Sequence, residues 1–163
     1  MALPVMRELA QTTREGVQLL KLYKGKALLV GQVESSETIR IVGDVGSLYD
    51  LHCTAEGKVL LAYLSNDEFN TVIAMNGLPS RTKNTITNIH ILRRELEQIR
   101  RQGYATDHEE YCIGIRCAAA PIYNYNKQVI AALNISGLAS RIDETTMQYL
   151  VEQVIKAAQK ISK

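Results

Sequence analysis

The sequence is poor in the residues that build specialised surfaces and covalent scaffolds. It has no Trp, one Phe, three Cys and three Pro among 163 residues. So few large aromatic rings argue against stacking on exposed nucleic-acid bases, although eight Tyr are present. Three cysteines, an odd number without framework spacing, exclude a disulfide-rich domain and favour a reducing compartment. We therefore expect a cytoplasmic protein.

Charge of one sign and long hydrophobic runs are also lacking. The 19 basic and 17 acidic residues give a formal net charge of +2, too little for a broad basic field that would attract nucleic acid. The apolar runs are shorter than a membrane span needs, and no signal peptide precedes Leu3. We expect no membrane partner and no direct contact with DNA. A hydrophobic content of 46% fits one globular domain with its own core.

Signatures of cofactor and metal chemistry are missing. Glycine-rich phosphate loops, nucleotide fingerprints and Ser-His-Asp order signatures do not occur. Residue types suited to zinc are present, but without a C-x-x-C or H-x-x-x-H pair; they are His52, Cys53, His108, Cys112 and Cys117. His108 and Cys112 would share a face only on a helix, whereas their local pattern is that of a strand. We expect neither a metal nor a cofactor.

The first part of the chain predicts a helix followed by three strands. An amphipathic pattern marks the helix, turn residues separate the first two strands, and β-branched alternation marks the third. In order, these elements cover Leu3–Arg14, Gly16–Tyr23, Lys26–Val33 and Thr38–Val42, with a turn at Lys24–Gly25. The segment Gly43–Leu51 is predicted to be a loop.

Capping signals and apolar stripes predict four further helices. Thr54 is the N-cap candidate of the first, and Ser65 with Glu68 has capping-box spacing for the second. A polar loop over Gly77–Asn88 then leads into a helix over Ile89–Gln102. The last helix, capped by Asp143 or Ser140, has the most regular apolar stripe in the chain; it comprises Met147, Leu150, Val151, Val154, Ile155 and Ala158.

Two strand-like runs, Glu110–Ala119 and Val129–Ser136, organise the rest. In the first, alternation places Ile113, Ile115, Cys117 and Ala119 on one face; in the second, Ile130, Ala132, Asn134 and Ser136 share a face. Polar residues on an otherwise apolar strand meet other protein groups, a ligand or solvent, and periodicity alone leaves these alternatives open. Strands, then helices, then strands favour an antiparallel sheet. We predict one α+β domain over residues 1–163.

Two features of these elements could support catalysis or binding. Arg116 beside Cys117 would lower the pKa of the thiol, yet strand alternation directs Arg116 to the opposite face, so a packed thiol or a pocket wall is the favoured interpretation. The helix beginning near Thr54 presents free N–H groups, and Gly57 keeps its first turn uncrowded. If Asn134 and Ser136 lie nearby, helix and strand together form a receptacle for a small carboxylate.

Several separated blocks resemble one family. The runs HCTAEGKVLLAYL, NTIT, IRRQGYATDHEEYCIGIRCAAAPIYN and VIAALNISGLASRI occur in family order over nearly the whole chain. They are similar to the effector-binding domain of IclR-type bacterial transcription regulators. The resemblance implies a GAF/profilin-like fold, with an antiparallel sheet flanked by helices around a small-molecule pocket. It also implies homodimers or homotetramers that contact operator DNA through an N-terminal winged helix-turn-helix. We expect that module to be absent here, because almost nothing precedes Leu3.

The resemblance further implies which residues touch the effector. Asp107 lies in the D-x-E-E segment, Cys117 in G-x-R-C-x-A-x-P, and Ser136 in the S-G pair of the last strand. Asn134 stands where many members have serine. Thr54 and Ala55 match the helix start that offers main-chain N–H groups to a carboxylate.

The expected function is therefore a sensor, not an enzyme. Its effector would be a small organic acid, such as a keto acid or a sugar acid, and its binding would change the operator affinity of a repressor. Two alternatives stay open: a GAF-like thiol enzyme that uses Cys117, and a pure dimerisation module.

Overall fold

A computed structural model describes residues 1–162, in which the chain forms a six-stranded antiparallel sheet with helices on both faces. The strand order across the sheet is β3-β2-β1-β6-β5-β4. The helices are α1 Ala2–Thr13, α2 Ala55–Ala62, α3 Asn66–Asn76, α4 Ile89–Gln102 and α5 Glu144–Ile161. The strands are β1 Gly16–Tyr23, β2 Lys26–Val33, β3 Leu48–Tyr49, β4 Ala105–His108, β5 Ile115–Tyr123 and β6 Val129–Leu138. The predicted α+β fold is confirmed.

The sheet separates two hydrophobic cores. On β6, Leu133 and Ile135 pack with α1 and α5, whereas Ala132 belongs to the core beneath α2, α3 and α4. Since successive side chains of a strand point to opposite faces, Asn134 and Ser136 lie on the side of α2. This division directs the polar residues of β6 toward the start of the Thr54 helix, as the sequence predicts.

The capping predictions are confirmed in detail. The Thr54 hydroxyl accepts from the Gly57 N–H at 3.1 Å. Ser65 and Glu68 exchange both bonds of a capping box, at 3.2 and 2.9 Å. Asp143, rather than Ser140, caps α5 by accepting from Thr146 N–H. Each cap satisfies a donor that the first helical turn leaves unpaired.

The predicted strand over Thr38–Val42 is wrong. Both edges of β1 are occupied, by β2 and β6, and the outer edge of β2 bonds instead with β3 and the backbone around Gly46. The segment is irregular, with Ile39 and Val42 68% and 51% exposed. Its alternation therefore finds no free edge on β1 or β2, the strands that precede it in the chain. The predicted loop over Gly43–Leu51 in turn contains the short strand β3.

The predicted strand over Glu110–Ala119 is wrong in its first half. Residues 109–114 form a loop in which Glu109 and Gly114 have φ angles of 60° and 93°, and Ile113 is 58% exposed and so does not share the buried face. The strand preceding this loop, β4, was not predicted, because its four residues, ATDH, carry little β-propensity. It places Asp107 in the sheet rather than in a turn.

Candidate ligand-binding site

Strand register brings three of the predicted residues into one row across the sheet. Ser136 on β6 is paired with Cys117 on β5, and Cys117 is paired with Asp107 on β4. Paired residues of antiparallel strands point to the same face. The relative exposures are 5%, 5% and 2%, so the row is removed from solvent.

A polar cluster continues this row toward β1. The Asn134 side-chain amide donates to Ser136 Oγ at 2.8 Å and to Gln18 Oε1 at 3.1 Å, and Ser136 Oγ lies 3.3 Å from Gln18 Oε1. Cys117 Sγ completes the cluster at 3.2 Å from Ser136 Oγ. These contacts rule out a solvent-facing strand surface. Gln18 was not predicted; the signal available was a lone amide inside the apolar strand GVQLLKLY.

The N-terminus of α2 covers this face of the sheet. Thr54 Oγ1 donates to the carbonyl of Asp50 at 2.6 Å while it caps the helix, so its hydroxyl is committed to holding the helix start. Ala55 is fully buried. The N–H groups of Ala55 and Glu56 precede the first intrahelical bond and, with the positive end of the helix dipole, suit an anionic oxygen.

Glu56 is a site residue that sequence reasoning missed. Its side chain is buried, and burial raises the pKa of its carboxyl to about 7, despite its own backbone N–H and the positive charge of Lys58. The charge of Glu56 contributes to raising the pKa values of Tyr49, Asp107 and Cys117. A glutamate in the first turn of a helix is ordinarily a solvated partner of the helix dipole, so the sequence context of Glu56 carries no special signal.

Asp107 is held as a largely neutral acid near pH 7. Burial raises the pKa of its carboxyl to about 8, and the nearby Glu110 charge adds to this effect. Its Oδ1 accepts from the Glu110 N–H at 2.7 Å. A protonated Asp107 can both donate and accept a hydrogen bond.

A buried lysine anchors the loop that follows Asp107. Lys58 Nζ lies 2.9 Å from Glu110 Oε1 and 3.2 Å from Glu95 Oε1. Although burial lowers the pKa of Lys58, the two carboxylates raise it above the ordinary value, so the ammonium group stays charged. The two ion pairs tie α2 to α4 and to the 109–114 loop. They therefore hold α2 and this loop in place beside β4.

Comparisons with known proteins assign the chain to a family. The sequence profile described as "Bacterial transcriptional regulator IclR C-terminal" matches residues 1–163. The chain belongs to the IclR family. The HTH-type transcriptional repressor AllR of Escherichia coli K12 is 35% identical over 159 residues, which cover 98% of this chain and 59% of that protein. The chain thus spans a little over half the length of this relative.

Solved IclR-type structures share the fold. The C-terminal domain of the E. coli regulator KdgR has 35% identity and a TM-score of 0.88, over 99% of this chain and 93% of that one. A double mutant of the PobR inducer-binding domain from Acinetobacter, in complex with 3-hydroxybenzoic acid, has a TM-score of 0.90 over 98% of this chain and 94% of that one. At 23% identity, the second likeness concerns the fold alone. Within residues 1–162, no helix is long and apolar enough to cross a membrane.

The thiol of this IclR domain is poorly suited to nucleophilic chemistry. Burial raises the pKa of Cys117 well above its ordinary value, and Asp107 and Glu56 add to the effect, although Ser136 opposes it. A thiol must be deprotonated to act as a nucleophile. His108 is paired in register with Arg116 on the opposite face, and its Nδ1 lies 3.7 Å from Glu144. It is therefore not placed to act as a base for Cys117.

One group of metal-type ligands occurs within the described residues. Ligand atoms of Asp50, His52 and Cys53 lie within 4.8 Å of one another. Asp50, however, is paired with Lys26 Nζ and Arg81 Nε, each at 2.7 Å. Burial also raises the pKa of the Cys53 thiol. Two cations already satisfy the carboxylate, so the group is arranged as an ion-pair cluster and not for a divalent metal.

The polar groups of the site touch one another, and the open grooves of the domain lie elsewhere. A groove of about 530 Å³ runs between the ends of α4, β5 and α5, where Gln102, Tyr123 and Ile155 line it. Above Gln18, Gly43 packs so closely that an added Cβ would lie 2.7 Å from the Tyr49 hydroxyl.

Proposed function

We propose that this domain binds a small organic acid between the sheet and the start of α2. The observation that supports the proposal is the buried row of Asp107, Cys117 and Ser136 facing a helix N-terminus. A buried polar side chain costs free energy unless it is hydrogen-bonded, and the fold alone does not require a row of three beneath the main-chain amides that begin α2. A ligand that bonds to them accounts for the arrangement.

Each residue has a distinct role in this proposal. The ligand carboxylate accepts from the N–H groups of Ala55 and Glu56 and from the Ser136 hydroxyl, with Thr54 holding the helix start in place. Asn134 contributes its amide, and Cys117 forms the wall with a weak S–H donor. Asp107 bonds the far end of the ligand. The PobR complex is consistent with an acid in this fold, but the polar lining here fits a short aliphatic acid better than an aromatic one.

The role of the domain in a full-length regulator is part of the proposal. AllR is an HTH-type repressor longer than this chain. We infer that a DNA-binding module accompanies this domain as well, and that the domain assembles as a homodimer or homotetramer. Effector binding would shift that assembly between two arrangements, and a coupling of about 1–3 kcal/mol gives a useful change in operator affinity.

A thermal-shift screen of short acids tests the proposal. A ligand that binds only the folded state raises the melting temperature in proportion to ln(1 + [L]/Kd), so at least one acid in a panel of pyruvate, lactate, glyoxylate and gluconate should raise it. A bare dimerisation module would respond to none of them.

A pair of serine variants separates binding from stability. Ser136→Ala removes a buried hydroxyl, and Ser65→Ala removes the cap of α3; each costs about 1 kcal/mol of unfolding free energy. Only Ser136→Ala should weaken acid binding in calorimetry, by about tenfold. Equal affinities for the two variants would contradict the proposed site.

A further inference from the structure

An amide oxygen from β1 lies at the centre of the polar cluster. Gln18 Oε1 is 3.1 Å from the Asn134 amide nitrogen and 3.3 Å from Ser136 Oγ. Strand pairing places Gln18 opposite Asn134 on the buried face of the sheet. One acceptor atom therefore faces both the Asn134 amide and the Ser136 hydroxyl, two of the groups that would bond the ligand.

The protons of these two groups are already committed. The Asn134 amide has two N–H bonds, of which one points to Ser136 Oγ at 2.8 Å and the other to Gln18 Oε1. The Ser136 hydroxyl has one proton, and both Gln18 Oε1 and Cys117 Sγ lie within reach of it, at 3.3 and 3.2 Å. To bond either group, a ligand oxygen must therefore replace an acceptor within the cluster. Gln18 Oε1 is the acceptor that the two groups share.

Gln18 is held in this position by its oxygen alone. Its amide nitrogen makes no hydrogen bond within residues 1–162 and lies beside Gly43, 3.4 Å from where a Cβ on that residue would stand. Glutamine has three side-chain torsions, so a change of rotamer moves the oxygen without moving β1. Displacement of Gln18 therefore breaks only the two contacts that Oε1 makes.

The cluster is not the fully satisfied network that a purely structural role would favour. Asn134 Oδ1 is buried and has no hydrogen-bond partner among the described residues. A buried amide that uses only part of its hydrogen-bonding capacity costs stability. The Asn134 amide nonetheless keeps both N–H groups directed at Ser136 and Gln18. This arrangement favours a site in which bonds are exchanged over a network built for stability.

We propose that Gln18 Oε1 takes the place of a ligand oxygen in the free domain, and that an acid binds by displacing it from Asn134 and Ser136. The inference rests on the proposed acid-binding function and adds a residue that regulates the affinity of the same site. Gln18 acts as an internal competitor of the ligand. Because binding must break its two contacts, the wild-type domain binds the acid more weakly than a domain that lacks the Gln18 oxygen.

Gln18→Met tests the inference, because methionine keeps the length of the side chain and removes the amide oxygen. Without that oxygen, the free domain contains buried donors that lack an acceptor, and a ligand oxygen then satisfies them. In calorimetry at pH 7 with pyruvate, lactate, glyoxylate and gluconate, the best-binding acid should bind about tenfold tighter to the variant than to wild type. The ligand-free variant should also melt at a lower temperature than the wild-type protein. Gln18→Leu, which lacks even the weak thioether acceptor, should tighten binding as well.

Gln32→Met is the matched control. Gln32 on β2 is paired in register with Gln18, but its amide bonds the backbone of Gly43 instead of the cluster. This variant should melt at a lower temperature than wild type and bind the acid within about twofold of the wild-type affinity. Equal tightening in the Gln18 and Gln32 variants, or binding by folded Gln18→Met that is no tighter than wild type, would overturn the inference while acid binding stands.

A wild-type complex gives a test that does not depend on any variant folding. In a crystal structure with the best-binding acid, Gln18 Oε1 should lie more than about 3.5 Å from both Asn134 Nδ2 and Ser136 Oγ, with a ligand oxygen in its place. Gln18 Oε1 still bonded to both groups in that complex would overturn the inference. If none of the four acids binds wild type or either Gln18 variant, both proposals fail; binding by the Gln18 variants alone would support both.

Discussion

Cys117 Sγ and Ser136 Oγ lie 3.2 Å apart, on neighbouring strands and on the buried face of the sheet. The contact joins residues that are 19 positions apart in the chain into one surface beneath α2. Strand register fixes their relative position before any ligand arrives, so the floor of the site is preorganised.

Cysteine labelling should distinguish the sensor from a thiol enzyme. Because burial keeps the Cys117 thiol protonated, iodoacetamide at pH 7.5 should modify exposed Cys112 at least tenfold faster than Cys117. Peptide mass spectrometry of timed samples measures both rates. If Cys117 in the folded protein reacts as fast as Cys112, a reactive thiol is indicated instead.

Ionisation of Asp107 should destabilise the domain, whereas ionisation of a carboxylate that is salt-bridged in the fold stabilises it. Its pKa rises from 3.8 in the unfolded chain to about 8 in the fold. The stability associated with this group is fully present below about pH 4 and is lost as pH rises toward 8.

Asp107→Asn removes that penalty while keeping an oxygen for the Glu110 N–H. The free energy of unfolding of the variant should therefore exceed that of wild type by about a few kcal/mol at pH 8.5, and the two should be about equal at pH 4. Calorimetric melting across this range measures the difference. A variant that is less stable at pH 8.5 would show that the ionised carboxylate is favourable in the fold.

Lys58 should be essential for stability, because its removal leaves a buried carboxylate without its counter-ion. Lys58→Met leaves Glu110 buried without its cation, at a cost of about 3–5 kcal/mol. The double variant Lys58→Met with Glu110→Gln has no unpaired charge and should recover part of this loss. Urea unfolding of the single and double variants measures the coupling. Additive losses would mean that the ion pair is not the cause.

The start of α2 should tolerate only glycine at position 57. A Cβ there would lie 2.6 Å from the Leu51 carbonyl oxygen and would also meet Thr54 Oγ1. Gly57→Ala should cost about 1–3 kcal/mol and disturb the cap that holds the site. As a control, Gly31→Ala meets only Leu19 Cβ, at 4.0 Å, and should change the unfolding free energy little. Similar losses in the two variants would contradict this geometry.

Local signals predicted most of the fold. The caps at Thr54 and Ser65 and the turn at Lys24–Gly25 depend on contacts between residues close in sequence, so their patterns are visible in the chain. The segment Thr38–Val42 has a strand pattern, but whether a strand forms depends on a free sheet edge. Edge occupancy is a property of the whole sheet and leaves no local trace.

The residues of the site also differ in whether a local signal in the sequence could predict them. Alternation on β6 placed Asn134 and Ser136 on one face, and the family blocks supplied Asp107 and Cys117. Gln18 and Glu56 join them only through pairing between distant strands and through the placement of α2 over the sheet. Glu56 in particular has the sequence context of a solvated first-turn acid, and its burial becomes visible only in the folded chain.

A crystal structure of the domain with the acid that gives the largest thermal shift tests the central claim most directly. We predict that the ligand carboxylate lies within about 3.2 Å of Ser136 Oγ and of the Ala55 or Glu56 N–H. Density for the acid in the groove beside Tyr123, with the space beneath α2 unchanged, would contradict it.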